Sequence, residues 1–124
     1  MPGETVVNLR PMSPQPIPFD DIPGSERAKK FEGKDHGASM SFYISRHAPG
    51  EGPPLHRHPY EETFICQSGT CTFTVGEEQI TAEPGRVVIV PANTPHKFVN
   101  SGEGRIRQVG IHRSPEVLQE DLEG

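Results

Sequence analysis

A chain of 124 residues has room for one domain around one core, and 31% hydrophobic residues with 14 prolines leave too few apolar side chains to core every segment equally. The formal net charge of −5 and the lack of clustered Lys and Arg exclude phosphate-led binding to nucleic acid. No apolar run approaches the roughly 20 residues that span a bilayer, and the opening MPGETVVNLRPMSPQPIP lacks the apolar stretch of a signal peptide. The expectation is a cytoplasmic protein with no membrane and no nucleic-acid partner.

Residues 1–24 carry Pro2, Pro11, Pro14, Pro16, Pro18 and Pro23. Each fixes φ and removes a backbone donor, so this stretch reads as a proline-rich arm with room for one short strand at Thr5 to Leu9. Such an arm becomes ordered only against the folded domain, residues 25–124, or against a second subunit. Together with the low apolar content, this predicts a homodimer. Residues 25–37, SERAKKFEGKDHG, are polar and read as a solvated loop or a single helical turn.

Thereafter the period becomes two. Met40, Phe42 and Ile44 alternate with Ser41, Tyr43 and Ser45, the pattern of a half-buried strand with the apolar set inward. Further strands are predicted at Thr63–Cys66, Cys71–Val75, Gln79–Ala82, Arg86–Val90, His96–Asn100 and Arg105–His112. Short strands at near-regular spacing make an all-β antiparallel sandwich or barrel. The turns QSG before Thr70 and VGEEQ after Thr74 suit hairpins and up-and-down order. Cys66 and Cys71 flank the first turn, where buried strand thiols are favoured over a bridge. The final SPEVLQEDLEG offers Ser114 as an N-cap followed by Pro115, which predicts a short C-terminal helix.

The stretch GEGPPLHRHPYEETFICQSG carries the chemistry. His56 and His58 stand two apart, so on a strand both imidazoles face the same way. Glu62 shares their parity if no bulge intervenes, with Glu61 as its rival. A second stretch, GRVVIVPANTPHKFVN, adds His96. Three imidazoles and a carboxylate suit one divalent first-row metal ion. Fe(II), Mn(II) or Ni(II) is favoured over Zn(II), because octahedral geometry would leave two positions open for a reacting molecule.

These two stretches resemble the two motifs of the cupin superfamily. The first motif is a Gly, five residues, His-x-His, three or four residues, Glu, six residues and Gly, and is met by Gly50, His56, His58, Glu62 and Gly69. The second is met by Gly85, Pro91, His96 and Asn100, with Asn93 standing where the motif has its inner glycine. Asn tolerates the left-handed backbone better than any residue but Gly, so the turn is expected to survive. The resemblance covers residues 38–112. It implies an antiparallel double-stranded β-helix, the cupin or jelly-roll barrel, frequent dimers, and a metal ion held by the motif histidines and glutamate.

It does not imply one reaction. A metal-dependent enzyme acting on a small oxygen-rich or carboxylated molecule, of dioxygenase, decarboxylase or isomerase type, stands beside a non-catalytic protein that binds or senses a small ligand through the metal. Candidate substrate contacts are Phe42, Phe64 and Phe98 as an apolar wall and Arg46 and Arg107 as carboxylate holders. His36, His47 and His112 fit no ligand spacing and read as ordinary polar side chains, and nothing fixes Tyr43 or Tyr60 in a pocket.

Overall fold

The computed structural model describes residues 15–123, and the strand expected at Thr5 to Leu9 lies outside them. Ten strands are present among the described residues: β1 (Ala28–Phe31), β2 (Ser41–Ser45), β3 (His56–Arg57), β4 (Glu62–Ser68), β5 (Cys71–Val75), β6 (Glu78–Ala82), β7 (Arg86–Val90), β8 (His96–Asn100), β9 (Arg107–His112) and β10 (Glu120–Asp121). They form two antiparallel sheets of order β1-β2-β9-β4-β7 and β10-β3-β8-β5-β6. All six strands predicted after residue 62 are present.

The up-and-down order is overturned. β4 pairs with β7 and β9, whereas β5 pairs with β6 and β8, so QSG is a corner between sheets and not a hairpin. Gly69 makes this corner at φ 85°, and a Cβ there would stand 2.9 Å from Ile106 Cγ2. β5 and β6 do form a hairpin, with Val75 opposite Glu78 and Gly76 at φ 61°. Residues 25–37, read as a loop or a single helical turn, contain a 3-10 turn at Gly33–Asp35 but also the strand β1.

The predicted C-terminal helix is absent. Ser114 Oγ does accept a hydrogen bond from the Glu116 amide, but the backbone groups a helix would need are engaged elsewhere. Pro115 C=O accepts from the Lys34 amide, the Val117 amide donates to Glu32, and the Leu122 amide donates to Leu55 C=O. The segment therefore runs as an extended strap ending in β10, paired to β3.

The core comprises Phe64, Cys66, Cys71, Phe73, Ala82, Val88, Val90, Phe98 and Ile106. Phe64, Phe73 and Phe98 pack with ring centroids 4.9 to 5.8 Å apart, and Phe64 also meets the His96 ring at 6.2 Å. The aromatic floor of the site is thus also the centre of the core. Both cysteines are buried free thiols. Cys66 donates to Gln108 Oε1, and burial pushes the Cys71 thiol up to about 12.

One strand has its faces reversed. Ser41 and Ser45 are buried and Met40 is exposed, so β2 turns Ser41, Tyr43 and Ser45 inward. Phe42 instead stacks on Phe31 at 4.6 Å, across the β1–β2 pair. The alternation was real, but the barrel interior next to β2 is polar and the apolar row lies outside.

Candidate metal centre

His56 lies on β3, His58 just beyond it, Glu62 at the start of β4 and His96 at the start of β8, directly opposite His56. All four are buried, and one ligand atom from each lies within 4.8 Å of the others. Between the motifs, the chain turns at Asn93 with φ 63°, the left-handed conformation expected of it, and its amide donates to His58 C=O at 2.7 Å. Glu62 occupies the cluster, whereas Glu61 is exposed.

The backbone settles which ring nitrogens point inward. His56 Nδ1–H donates to Pro54 C=O at 2.7 Å, His58 Nδ1–H to Leu118 C=O at 2.8 Å and His96 Nδ1–H to Thr94 C=O at 2.8 Å. A neutral imidazole with its hydrogen on Nδ1 presents a bare lone pair at Nε2. The Glu62 carboxylate, with Oε1 3.1 Å from His58 Nε2 and 3.0 Å from His96 Nε2, adds acceptors to acceptors. His58 Nε2 is buried without a hydrogen-bond partner. Three lone pairs converging on a buried carboxylate repel unless protons or a cation lie between them, so the donor set fits a divalent ion.

Burial pushes the His56 pKa down, the other imidazoles push it further, and only its bond to Pro54 and the charge of Glu62 oppose this. Burial opposes the charge on Glu62, yet hydrogen bonds from His112, His58 and His96, when their Nε2 atoms carry hydrogens, hold its carboxyl well below the usual carboxylate range, and a cation between the ligands would hold it there in the same way.

His112, read from sequence as an ordinary polar side chain, belongs to this site. It is fully buried, and its Nε2 stands 3.0 Å from Glu62 Oε2 on an approach too oblique for a full hydrogen bond. Its Nδ1 lies 2.6 Å from Tyr60 Oη, which accepts the Leu118 amide at 3.1 Å. Burial pushes Tyr60 up to about 12, so the phenol keeps its hydrogen, and with Oη already accepting from the Leu118 amide we assign that hydrogen to the bond with His112 Nδ1. His112 then carries its own hydrogen on Nε2, facing the carboxylate. The parity of Gln108, Gly110 and His112 along β9 is the signal that could have placed it.

A cavity of about 120 Å³ abuts His56, Glu62 and His112. Phe64 and Phe98 line it, whereas Phe42 does not, because it lies on the outward face of β2. Arg46 does not line it either, because its guanidinium lies over the Phe19 ring at 4.1 Å, and Arg107 is exposed. Tyr43, Ser45, His47 and Gln119 supply the polar wall instead.

A family model described as Cupin domain matches residues 43–111. Auxin-binding protein 4 of Zea mays is 31% identical over 84 residues, which are 60% of this chain and 41% of that protein. Oxalate decarboxylase of Lactobacillus farciminis, solved as a formate complex, superposes with TM-score 0.74 and 21% identity over 84% of this chain and 34% of that chain. A Klebsiella pneumoniae protein with a double-stranded beta-helix domain superposes with TM-score 0.70 and 17% identity, covering 90% of this chain and all of that one. This chain therefore spans well under half the length of the first two. Among the described residues, no helix is long and apolar enough to cross a membrane.

Proposed function

Because this chain belongs to the cupin family, we propose that it is a metal-dependent cupin acting on a small oxygen-rich or carboxylated molecule, with His56, His58, Glu62 and His96 as the ligands of one divalent ion. The observation that carries this is the convergence of three Nδ1-anchored imidazoles and one carboxylate, all buried. Such an ion supplies Lewis-acid polarisation of a bound oxygen or a redox partner for dioxygen. The chain's own residues fix the ligand tautomers through backbone carbonyls and set the aromatic rings of Phe64 and Phe98 beside the cluster. They also enclose a small cavity against the ion's site. Four protein ligands would leave two positions of an octahedral ion open to a reacting molecule, which favours Fe(II), Mn(II) or Ni(II) over a closed tetrahedral Zn(II) site.

The second reading is metal-assisted binding without turnover. It is favoured by Tyr43 and Tyr60, whose pKa values burial raises, so that neither phenol is poised as a base near neutrality. Elemental analysis of protein purified without chelator, followed by oxygen uptake of the iron-loaded form with small acids and phenols, separates the readings. A zinc-filled, oxygen-inert protein overturns the dioxygenase version, and stoichiometric metal in His58→Ala overturns the ligand set. A cytoplasmic homodimer remains part of the proposal, and a monomeric mass by light scattering removes the dimer.

A further inference from the structure

The cavity beside the metal centre is selective in charge and in size. With three neutral imidazoles and one carboxylate, a divalent ion there leaves a net single positive charge. The wall opposite is uncharged: Tyr43, Ser45 and His47 follow one another at spacing two, continuing the inward face of β2. Among the described residues, no Lys or Arg lines the cavity. A guest with one negative charge is neutralised in this site. A second charge would be buried against hydroxyls, an imidazole and the rings of Phe64 and Phe98, with nothing to pair it.

Size narrows the guest further. An engineered cavity of about 150 Å³ holds benzene, so the space of about 120 Å³ next to the metal site matches a guest of about six non-hydrogen atoms. His47 provides the reading group. It is only 7% exposed, and its Nδ1 is enclosed without a hydrogen-bond partner. Burial pushes its pKa below the usual histidine value, which keeps the ring neutral. A buried, unpaired nitrogen costs stability that a hydrogen-bonding guest returns.

Resting on the metal-site reading above, we propose that this cavity binds a small monoanion of the 2-hydroxy or 2-oxo monocarboxylate type, hydrogen-bonded by His47, and rejects dianions of the same size. It thereby differs in specificity from what the name oxalate decarboxylase states of that neighbour.

Lactate, pyruvate and oxalate contain the same number of non-hydrogen atoms and differ in charge, which makes them the probes. Each is titrated into the Co(II)-loaded protein while the visible absorption of the bound Co(II) is followed. Lactate or pyruvate is expected to bind at least about tenfold more tightly than oxalate, although oxalate is the stronger chelator of the free ion. His47→Leu should weaken monoanion binding about tenfold, and His47→Gln, which keeps a hydrogen-bonding side chain, should recover most of it. Oxalate binding as tightly as both monoanions overturns the proposal, as does a spectrum that neither monoanion changes. Because these are wild-type measurements, they stand even if His47→Leu fails to fold. Failure to take up Co(II) is seen before any acid is added, and overturns the metal-site reading itself.

Discussion

His112 Nε2 lies 3.0 Å from Oε2 of Glu62, while His58 and His96 stand 3.1 and 3.0 Å from its other oxygen, Oε1. With Tyr60 behind it, His112 occupies one carboxylate oxygen and leaves the other to the metal site. His112→Phe should keep stoichiometric metal but weaken affinity by about 10- to 100-fold, the usual cost of losing an outer partner. Tyr60→Phe should act in the same direction by removing the hydrogen bond to Nδ1. Competition of each variant against a chelator of known affinity measures both effects, and unchanged affinity in His112→Phe would refute this role.

The peptide of Leu118 serves two of these side chains at once, its carbonyl accepting from His58 and its amide donating to Tyr60. Gln119, next to it, lines the cavity. Truncation after Arg113 should therefore cost metal affinity by at least about tenfold, although no ligand is removed. The chelator competition tests this, with circular dichroism confirming that the sheets remain.

Gly110 sits opposite Phe64 on β4, and a Cβ there would stand 2.5 Å from Glu62 Oε2 and 3.0 Å from Phe64 Cε1. Gly110→Ala should push the carboxylate out of place and lower metal content. Because the ring of Phe64 belongs to the core, a loss of about 1–3 kcal/mol in urea unfolding should accompany it. Full metal content in this variant would mean that the carboxylate has room to move.

His47 gives the apoprotein an acid sensitivity of known sign. Burial lowers its folded pKa, the charge of Glu51 partly opposes this and Arg27 adds to it. Below the unfolded value of about 6.5, the unfolded chain takes up the proton first, so stability falls as pH drops through that value toward the lower folded pKa. Urea midpoints of the metal-free protein at pH 7.5 and 5.5 should show this loss, and His47→Gln should make it smaller. An equal loss in that variant would assign the acid sensitivity to other groups.

Much of the site was legible in the sequence, because the spacing of the two motifs names His56, His58, Glu62 and His96, although strand parity holds only for His56 and His96, since β3 ends at Arg57 and the chain bends before Glu62. The turn residue Asn93 could be anticipated for the same local reason: few side chains accept positive φ. The same parity rule misled at β2. It names two faces but not which is inside, and here Ser41, Tyr43 and Ser45 point inward to a polar site while Phe42 packs outside. Ser114 and Pro115 carried a genuine helix-start signal. It lost to hydrogen bonds with Lys34, Glu32 and Leu55, partners far away in the chain.

By itself, then, the sequence determined the strand at Ser41–Ser45 and the six strands after residue 62, the turn at Asn93 and the four residues that cluster at the candidate metal centre, all read from residues close together in the chain. The tertiary structure alone decided how β4 and β5 part into different sheets, that His112, Tyr60 and Leu118 gather behind Glu62, and which strand face lines the cavity. These depend on pairings between strands tens of residues apart, whose register no local pattern encodes.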